Sequence, residues 1–273
     1  MVEHFTLYHK NFYKDSEPFL TGDLLQSRLF DVEMKLANTK LLFWNDYQEI
    51  IIVNARLFGM EIANPMPLMK DIKRQIQRTY VKNKCYKGVI VRLTFFRVEG
   101  NLVYMVELNH VTPYIYEEQV EAMELMPNGR ILKSKTLLSS LEIGSRDLWF
   151  MAQTQCKKSH HLALIMNEQE LFLEVPRANI FLITKEMKVK TPHASLGVCV
   201  NPARLHLFHV LEDMGYDVEE SLNLTFADLQ QAEEVFVVDD LHGVRFVGAF
   251  KNVRYYRKEV KKIAEEFVRS LEI

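Results

Sequence analysis

Two positions in the middle of the chain, Lys133 and Glu142, decide what chemistry this protein can do. Lys133 stands in the stretch Leu-Lys-Ser-Lys-Thr, and Glu142 stands in Leu-Glu-Ile-Gly-Ser-Arg at the start of a predicted helix. A lysine amine can form an imine with a carbonyl compound, whereas a carboxylate can act only as an acid, a base or a partner for a cation. If Lys133 lies in the active site, imine chemistry is possible. If Glu142 lies there instead, only acid–base chemistry or the binding of a cation is possible.

The histidine and cysteine side chains have poor spacing for a metal site. Cys156 lies near the adjacent pair His160 and His161, but neighbouring side chains on a strand point to opposite faces. One cysteine with two such histidines makes a poor ligand set. His206 and His209 share one helix face, yet no acidic pair or cysteine lies close to them in the sequence. We therefore predict that the chain holds no metal ion.

The composition excludes several classes of partner. Lys and Arg number 34 against 36 Asp and Glu, which gives a net charge of −2 and no basic surface for nucleic acid or an anionic membrane. No apolar run approaches the roughly 18 residues of a membrane span. The beginning of the chain lacks the apolar segment of a signal peptide. The three scattered cysteines do not form a disulfide framework. We expect a soluble, cytoplasmic protein.

Local patterns predict a mixture of helices and strands. Glu99-Gly100-Asn101 and the segment around Asn167 are turn signals, each between two β-rich runs. Asn201-Pro202 predicts a helix start, with asparagine as the N-cap, and Gly215 predicts its end. The predicted elements are a helix at 49–60, a hairpin at 88–111, a helix near 146–158, a hairpin at 161–175, a helix at 202–215, a strand–helix–strand segment at 216–240 and a final amphipathic helix from 259. Such a sequence of elements is typical of an α+β protein.

Four segments carry a resemblance to one enzyme family. Residues 173–192, LEVPRANIFLITKEMKVKTP, match the motif E-x-x-x-x-N-h-F, and residues 211–256 follow the closing half of the same family. Residues 21–34 resemble its opening motif Y-G-D-G-x-F-E-T, and residues 46–60 resemble E-H-x-x-R-L-x-x-S-A-x-x-L-G. The chain thus resembles the class IV aminotransferases, the fold-type-IV pyridoxal-phosphate enzymes. Its closing V-G-x-x-x-x-x-R-Y is most similar to the branch that includes aminodeoxychorismate lyases.

The resemblance assigns positions to the cofactor. It implies that Glu174 faces the pyridine nitrogen of pyridoxal phosphate and that Asn179 and Arg204 also lie at the cofactor site. Glu174 has an alternative role in which it contacts no cofactor and its carboxylate is held by a neighbouring basic group. Asn179 has an alternative role in which its side chain hydrogen-bonds nearby backbone, and for Asn179 we favour this structural role.

Departures from the family concentrate where the cofactor phosphate would bind. Tyr47 and Ile50 stand where the family has a histidine and a phosphate-binding arginine, and Ala203 replaces a threonine whose hydroxyl holds the phosphate. Pro202 has no backbone N–H to donate. Asp240 would repel a phosphate dianion. We expect pyridoxal phosphate to bind poorly or not at all.

The family lysine, which forms the Schiff base, can be aligned in two ways. The spacing to Glu174 and the ungapped helix that follows place Glu142 at the lysine position. Lys133 has the more similar local motif, but it requires about nine additional residues before Glu174. We favour Glu142, which leaves no confident catalytic residue, and keep Lys133 as the alternative.

The resemblance implies a two-domain α+β fold of the fold-type-IV architecture. We predict a smaller domain at 1–120 and a larger one at 121–273, with a cleft between them and a homodimer as the assembly. Three functions stay open. The first is a degenerate family member that is not a functional transaminase and binds a small molecule or a protein through the old cleft. The second is an active lyase or aminotransferase that uses Lys133. The third is a cofactor-independent enzyme in which Glu142 and Asp240 form an acid–base pair.

Overall fold

The protein has a mixed helix and sheet fold with two sheets, one in each of two compact units. The computed structural model describes residues 5–14, 22–85, 87–110, 116 and 121–272. The division between the units falls between residues 115 and 116. The domain boundary predicted at residue 120 lies outside the described residues.

The first unit is one antiparallel sheet with two long helices. Its elements are β1 (Phe5–Tyr8), β2 (Asn11–Lys14), α1 (Gly22–Gln26), β3 (Arg28–Ala37), β4 (Lys40–Leu41), α2 (Trp44–Leu57), α3 (Pro65–Lys82), β5 (Val89–Val98) and β6 (Asn101–His110). The strand order is β2-β1-β6-β5-β3-β4. The predicted hairpin at 88–111 is confirmed in β5 and β6. These strands pair from Val89 opposite His110 to Val98 opposite Asn101, and the Glu99-Gly100 turn joins them.

The second unit contains the larger sheet. Its elements are β7 (Met123–Leu132), α4 (Glu142–Thr154), β8 (His161–Met166), β9 (Phe172–Val175), β10 (Ala178–Ile183), β11 (Lys188–Pro192), α5 (Pro202–Asp213), β12 (Asp217–Ser221), α6 (Phe226–Gln231), β13 (Glu234–Asp239), β14 (Gly243–Phe250), β15 (Val253–Arg254) and α7 (Lys258–Ser270). The hairpin predicted about Asn167 is confirmed in β8 and β9, and the helix predicted from Pro202 is confirmed in α5. The final amphipathic helix is confirmed in α7.

Six strands of this sheet form a closed ring. The order runs β10-β13-β14-β7-β8-β9, and β9 pairs back onto β10. Closure removes the unpaired edges that an open sheet would present. A core cluster that includes Leu125, Leu164 and Ile180 comes from strands of this ring. The ring therefore fixes the strands from which the candidate site is built.

Two helices in different units begin in the same way. The side chain of Asn201 accepts a hydrogen bond from the Arg204 N–H, and Pro202 opens α5. In the first unit, Asn64 caps α3 through the Met66 N–H, and Pro65 opens that helix. Proline suits this position because the first N–H groups of a helix lack partners within it. Among the described residues, no helix is long and apolar enough to span a bilayer.

Candidate functional site

Lys133 lies directly after β7 and is buried. Its backbone N–H donates to the Met166 carbonyl on β8, which fixes the main chain from which the side chain extends. The lysine Nζ lies 2.5 Å from Glu174 Oε1, and each side chain is only 1% exposed. The ammonium also lies 5.7 Å from the centre of the Trp149 ring, a favourable cation–π distance. The chain thus places a buried amine against a buried carboxylate.

Glu174, on β9, is the acceptor at the centre of this cluster. Its Oε1 also accepts from Trp149 Nε1 at 2.7 Å, and its Oε2 accepts from the Cys199 backbone N–H at 2.7 Å. Burial raises the pKa of Glu174 above its ordinary value, although the charge and hydrogen bond of Lys133 act in the opposite direction. A buried carboxylate needs such partners because losing hydration is costly. These contacts correspond to the alternative role of Glu174, in which a neighbouring basic group holds its carboxylate.

Glu142, at the first position of α4, has different partners. Its Oε1 lies 3.0 Å from the Arg146 guanidinium and 3.0 Å from that of Arg177. Its side chain is 29% exposed, so solvent screens both pairs. In these contacts Lys133, and not Glu142, is the residue that meets Glu174.

The start of α5 holds a carboxylate of the chain itself. The Ala203 N–H donates to Asp240 Oδ1 at 2.6 Å. Asp240 is 8% exposed, and its carbonyl accepts a hydrogen bond from the Tyr116 hydroxyl at 2.5 Å. Helix N-termini attract anions because their N–H groups and dipole point at the ligand. An aspartate therefore takes the helix position that a phosphate takes in many nucleotide and cofactor sites.

Asn179 and Arg204 act on the surrounding framework. The Asn179 amide donates to the Cys199 carbonyl at 2.9 Å, and its oxygen accepts from the Asn201 N–H at 3.3 Å. Asn179 therefore ties β10 to the chain that leads into α5, the structural role that the sequence favoured. The Arg204 guanidinium is buried and hydrogen-bonds Thr191, the Pro192 carbonyl and Glu220, the last at 2.7 Å. Arg204 consequently holds β11 and β12 together through these contacts.

Cys199 marks where the predicted site residues converge. Burial raises the pKa of its thiol well above the ordinary value, and Glu174 adds to this rise. Lys133 acts in the opposite direction, while Glu142 and Asp240 contribute smaller increases. The contacts place Cys199 beside the pair of Lys133 and Glu174, because its backbone N–H donates to Glu174 and Glu174 contacts Lys133. Spacing alone gave no reason to select Cys199, because its nearest histidine, His193, is six residues away and its nearest cysteine is Cys156.

Tyr47 and Ile50, the first-unit positions at which the resemblance implies a departure from the family, lie on α2. Tyr47 is 2% exposed, and its hydroxyl donates to the Glu33 carbonyl at 2.6 Å. Ile50 is half-buried on the same helix. Tyr47 thus anchors α2 to β3 within its own unit.

A family model described as Amino-transferase class IV matches residues 29–250. A search of curated proteins finds no match. Among solved structures, a branched-chain aminotransferase from Thermoproteus uzoniensis with norvaline superposes with a TM-score of 0.83 at 15% identity, covering 98% of this chain and 95% of that one. An aminotransferase from Brucella abortus bound to PLP gives 0.82 at 14% identity, with 98% and 99% covered. A hypothetical aminotransferase from Mycobacterium tuberculosis in its apo form gives 0.80 at 16% identity, with 98% of each chain covered.

Proposed function

Because the chain belongs to the class IV aminotransferase family, we propose that it is a member with a degenerate pyridoxal-phosphate site and is not a functional transaminase. The observation that carries this proposal is the hydrogen bond from the Ala203 N–H to Asp240 at the start of α5. The homodimer, the cytoplasmic location, the cleft between the domains and the aminodeoxychorismate lyase branch are further parts of the proposal that rest on family resemblance.

The amine end of the site suits the cofactor chemically. Lys133 supplies the amine that a pyridoxal aldehyde requires, and Glu174 supplies a buried carboxylate of the kind that pairs with a pyridine nitrogen. In the structure these two side chains touch each other, so a ring between them requires Lys133 to swing aside. Such a movement involves one long, flexible side chain.

The other end of the site, the anion end formed by the start of α5 and Asp240, does not fit the cofactor phosphate. Pro202 has no N–H, Ala203 has no hydroxyl, and the Ala203 N–H already donates to Asp240. A phosphate dianion placed there would meet a buried carboxylate instead of a guanidinium clamp. The site as a whole therefore does not match pyridoxal phosphate, and we assign it no catalytic step through that cofactor.

Each carboxylate of the site has partners of its own. Glu174 is paired with Lys133, Glu142 with Arg146 and Arg177, and Asp240 bonds the start of α5. Unrelieved repulsion among three carboxylates would favour an amine-bearing ligand, but these contacts remove that reason. They also separate Glu142 and Asp240 as partners, which weakens the acid–base alternative.

The test compares pyridoxal phosphate with pyridoxal, which lacks the phosphate. We expect similar, weak binding of both, measured by visible absorbance and by quenching of tryptophan fluorescence. Asp240→Asn should increase the preference for pyridoxal phosphate, because it removes the negative charge from the helix start. Asp213→Asn, at the other end of α5, is the matched control and should leave the preference unchanged. Tight binding of pyridoxal phosphate over pyridoxal by the wild-type protein would refute the proposal.

A second candidate, an active lyase or aminotransferase that uses Lys133, is favoured by the contact of Lys133 with Glu174. Borohydride reduction after incubation with pyridoxal phosphate, followed by peptide mapping, tests it. Stable labelling of Lys133, abolished in Lys133→Met and retained in the exposed control Lys135→Met, together with amino-group transfer, would establish this function in place of the first.

A further inference from the structure

We propose that Glu124, His160 and His161 form a binding site for a divalent transition metal ion of the zinc type. One potential ligand atom from each of these side chains lies within 4.8 Å of the others. The three residues lie at the beginnings of β7 and β8, whereas Lys133 follows the far end of β7. The cluster is thus separate from the candidate site around Glu174.

The arrangement corrects the expectation that the adjacent histidines point to opposite faces. His160 belongs to the turn before β8, and His161 is the first residue of the strand. Because His160 is not on the strand, alternation along a strand does not apply to it. The two rings lie 4.9 Å apart at their centres and perpendicular to each other. Both can therefore face one ion.

His161 is the residue whose environment calls for a ligand. It is 7% exposed, and among the described residues neither of its ring nitrogens has a hydrogen-bond partner. A buried polar group without a partner is costly, and native structures rarely keep one without a reason. An ion bound to a ring nitrogen would compensate His161 for the hydration that it loses.

The separation between His161 and Glu124 suits a shared ion better than a hydrogen bond. His161 Nε2 lies 3.6 Å from Glu124 Oε2, which is beyond hydrogen-bonding distance. Two ligands of a tetrahedral zinc ion, each at about 2.0–2.1 Å from the metal, lie roughly 3.3 Å apart. A movement of a few tenths of an ångström would bring the pair into coordination.

The backbone that carries the ligands is already fixed. The Glu124 N–H donates to the His160 carbonyl at 3.0 Å, and the His161 N–H donates to the Lys158 carbonyl at 3.1 Å. Gln153 Nε2 donates to the His161 carbonyl at 2.7 Å. Glu124 and His161 are also register partners on the parallel strands β7 and β8. Binding therefore orders only side chains, which keeps its entropic cost small.

The ligand set selects the class of metal. Two imidazoles and one carboxylate suit zinc, cobalt, nickel or copper, whereas magnesium and calcium favour oxygen ligands. Glu124 and His160 are 27% and 28% exposed in their side chains, so a fourth position can be filled by water from the solvent side. Glu121 Oε1, 3.5 Å from His160 Nδ1, is placed to orient that ring as outer carboxylates do in zinc sites. The ion would join β7 to β8 at their beginnings.

The experiment uses the full chain without an affinity tag, treated with a chelator and then titrated with zinc. We expect one equivalent to bind in calorimetry and the melting temperature to rise with zinc concentration, since the folded state binds the ion preferentially. His161→Gln and Glu124→Gln should each weaken binding at least tenfold. His209→Gln removes an exposed histidine from α5 and should change nothing.

A second readout protects the test against variants that fail to fold. Cobalt bound to the wild-type protein should show the visible absorption typical of an ion with nitrogen and oxygen ligands. Glu124→Gln, at a partly exposed position, should lose this absorption and keep the circular dichroism spectrum of the wild type. Absence of zinc binding by the wild-type chain, or binding that survives both substitutions, would overturn the proposal.

Discussion

The two ends of the candidate site satisfy their buried carboxylates in opposite ways. At the amine end, Glu174 is held by a charged side chain, Lys133, and by the indole of Trp149. At the anion end, Asp240 bonds a backbone N–H at the start of α5. The first end keeps a group capable of imine chemistry, whereas the second fills a position suited to a ligand with a residue of the chain. One buried carboxylate is therefore held by a charged side chain and the other by backbone at a helix start, so the two should respond differently to substitution.

The largest expected effect comes from breaking the amine end. Lys133→Met should destabilise the protein by about 3–5 kcal/mol, because it leaves Glu174 buried without its counter-charge. The pKa of Glu174 is already raised by burial, and loss of the lysine raises it further. A folded-state pKa above the unfolded one gives stability that is present at low pH and lost as pH rises. The cost should therefore be larger at pH 7 than at pH 5 in urea unfolding.

A double substitution and a neighbouring lysine control that result. Lys133→Met combined with Glu174→Gln should recover much of the lost stability, since no unpaired charge remains. The exposed Lys135→Met should unfold like the wild type. A cost that is equal at both pH values would contradict the assignment to Glu174.

Asp239, the neighbour of Asp240 at the anion end, is held by charged side chains, whereas Asp240 is held by a backbone N–H. Burial alone would raise its pKa, but Arg245 and His242 outweigh burial and hold the pKa of Asp239 well below its ordinary range. Asp239→Asn should cost about 2–3 kcal/mol at neutral pH, the worth of hydrogen bonds to a charged group. A lowered pKa gives stability that is present above the unfolded value of roughly 4 and lost as pH falls below it. Denaturant unfolding of variant and wild type should therefore converge in strong acid, and a constant difference would exclude the ion pair as the cause.

Asp240 itself should matter less for stability than for ligand preference. Asp240→Asn should cost about 1–2 kcal/mol, as for the loss of a carboxylate from a helix start. Inorganic phosphate should then raise the melting temperature of the variant but not that of the wild type. The control Asp213→Asn lies at the other end of α5 and should not respond to phosphate. A wild-type response as large as that of Asp240→Asn would show that the carboxylate does not block the anion position.

The smallest effect belongs to Glu142. Both of its arginine partners are at least a quarter exposed in their side chains, so Glu142→Gln should cost about 0–1 kcal/mol. Glu142→Lys should leave pyridoxal phosphate binding unchanged, because neither the partners of Glu174 nor the anion end are altered. Improved cofactor binding in Glu142→Lys, detected by visible absorbance, would favour the alignment of Glu142 with the family lysine.

Local signals in the sequence predict many of the elements. Asn201-Pro202 predicts the start of α5, and the equivalent Asn64-Pro65 marks the start of α3, an 18-residue helix that is absent from the predicted elements. The strand β3, from Arg28 to Ala37, is absent from the predicted elements. Its sequence alternates apolar and polar residues from Phe30 to Leu36, which is the pattern of a half-buried strand. The structure differs from that pattern, because Asp31, Glu33 and Lys35 are buried as well.

The sequence by itself determined the family, the mixed fold and the cap that opens α5, because these depend on residue type and short spacing. Only the tertiary structure decided which groups meet. Lys133 and Glu174 are 41 residues apart, and their contact depends on the register of β7, β8 and β9 rather than on any count between them. The same strand pairing sets Glu124 opposite His161. Contacts between distant strands follow from register and burial, and neither quantity is encoded in the spacing of a local motif.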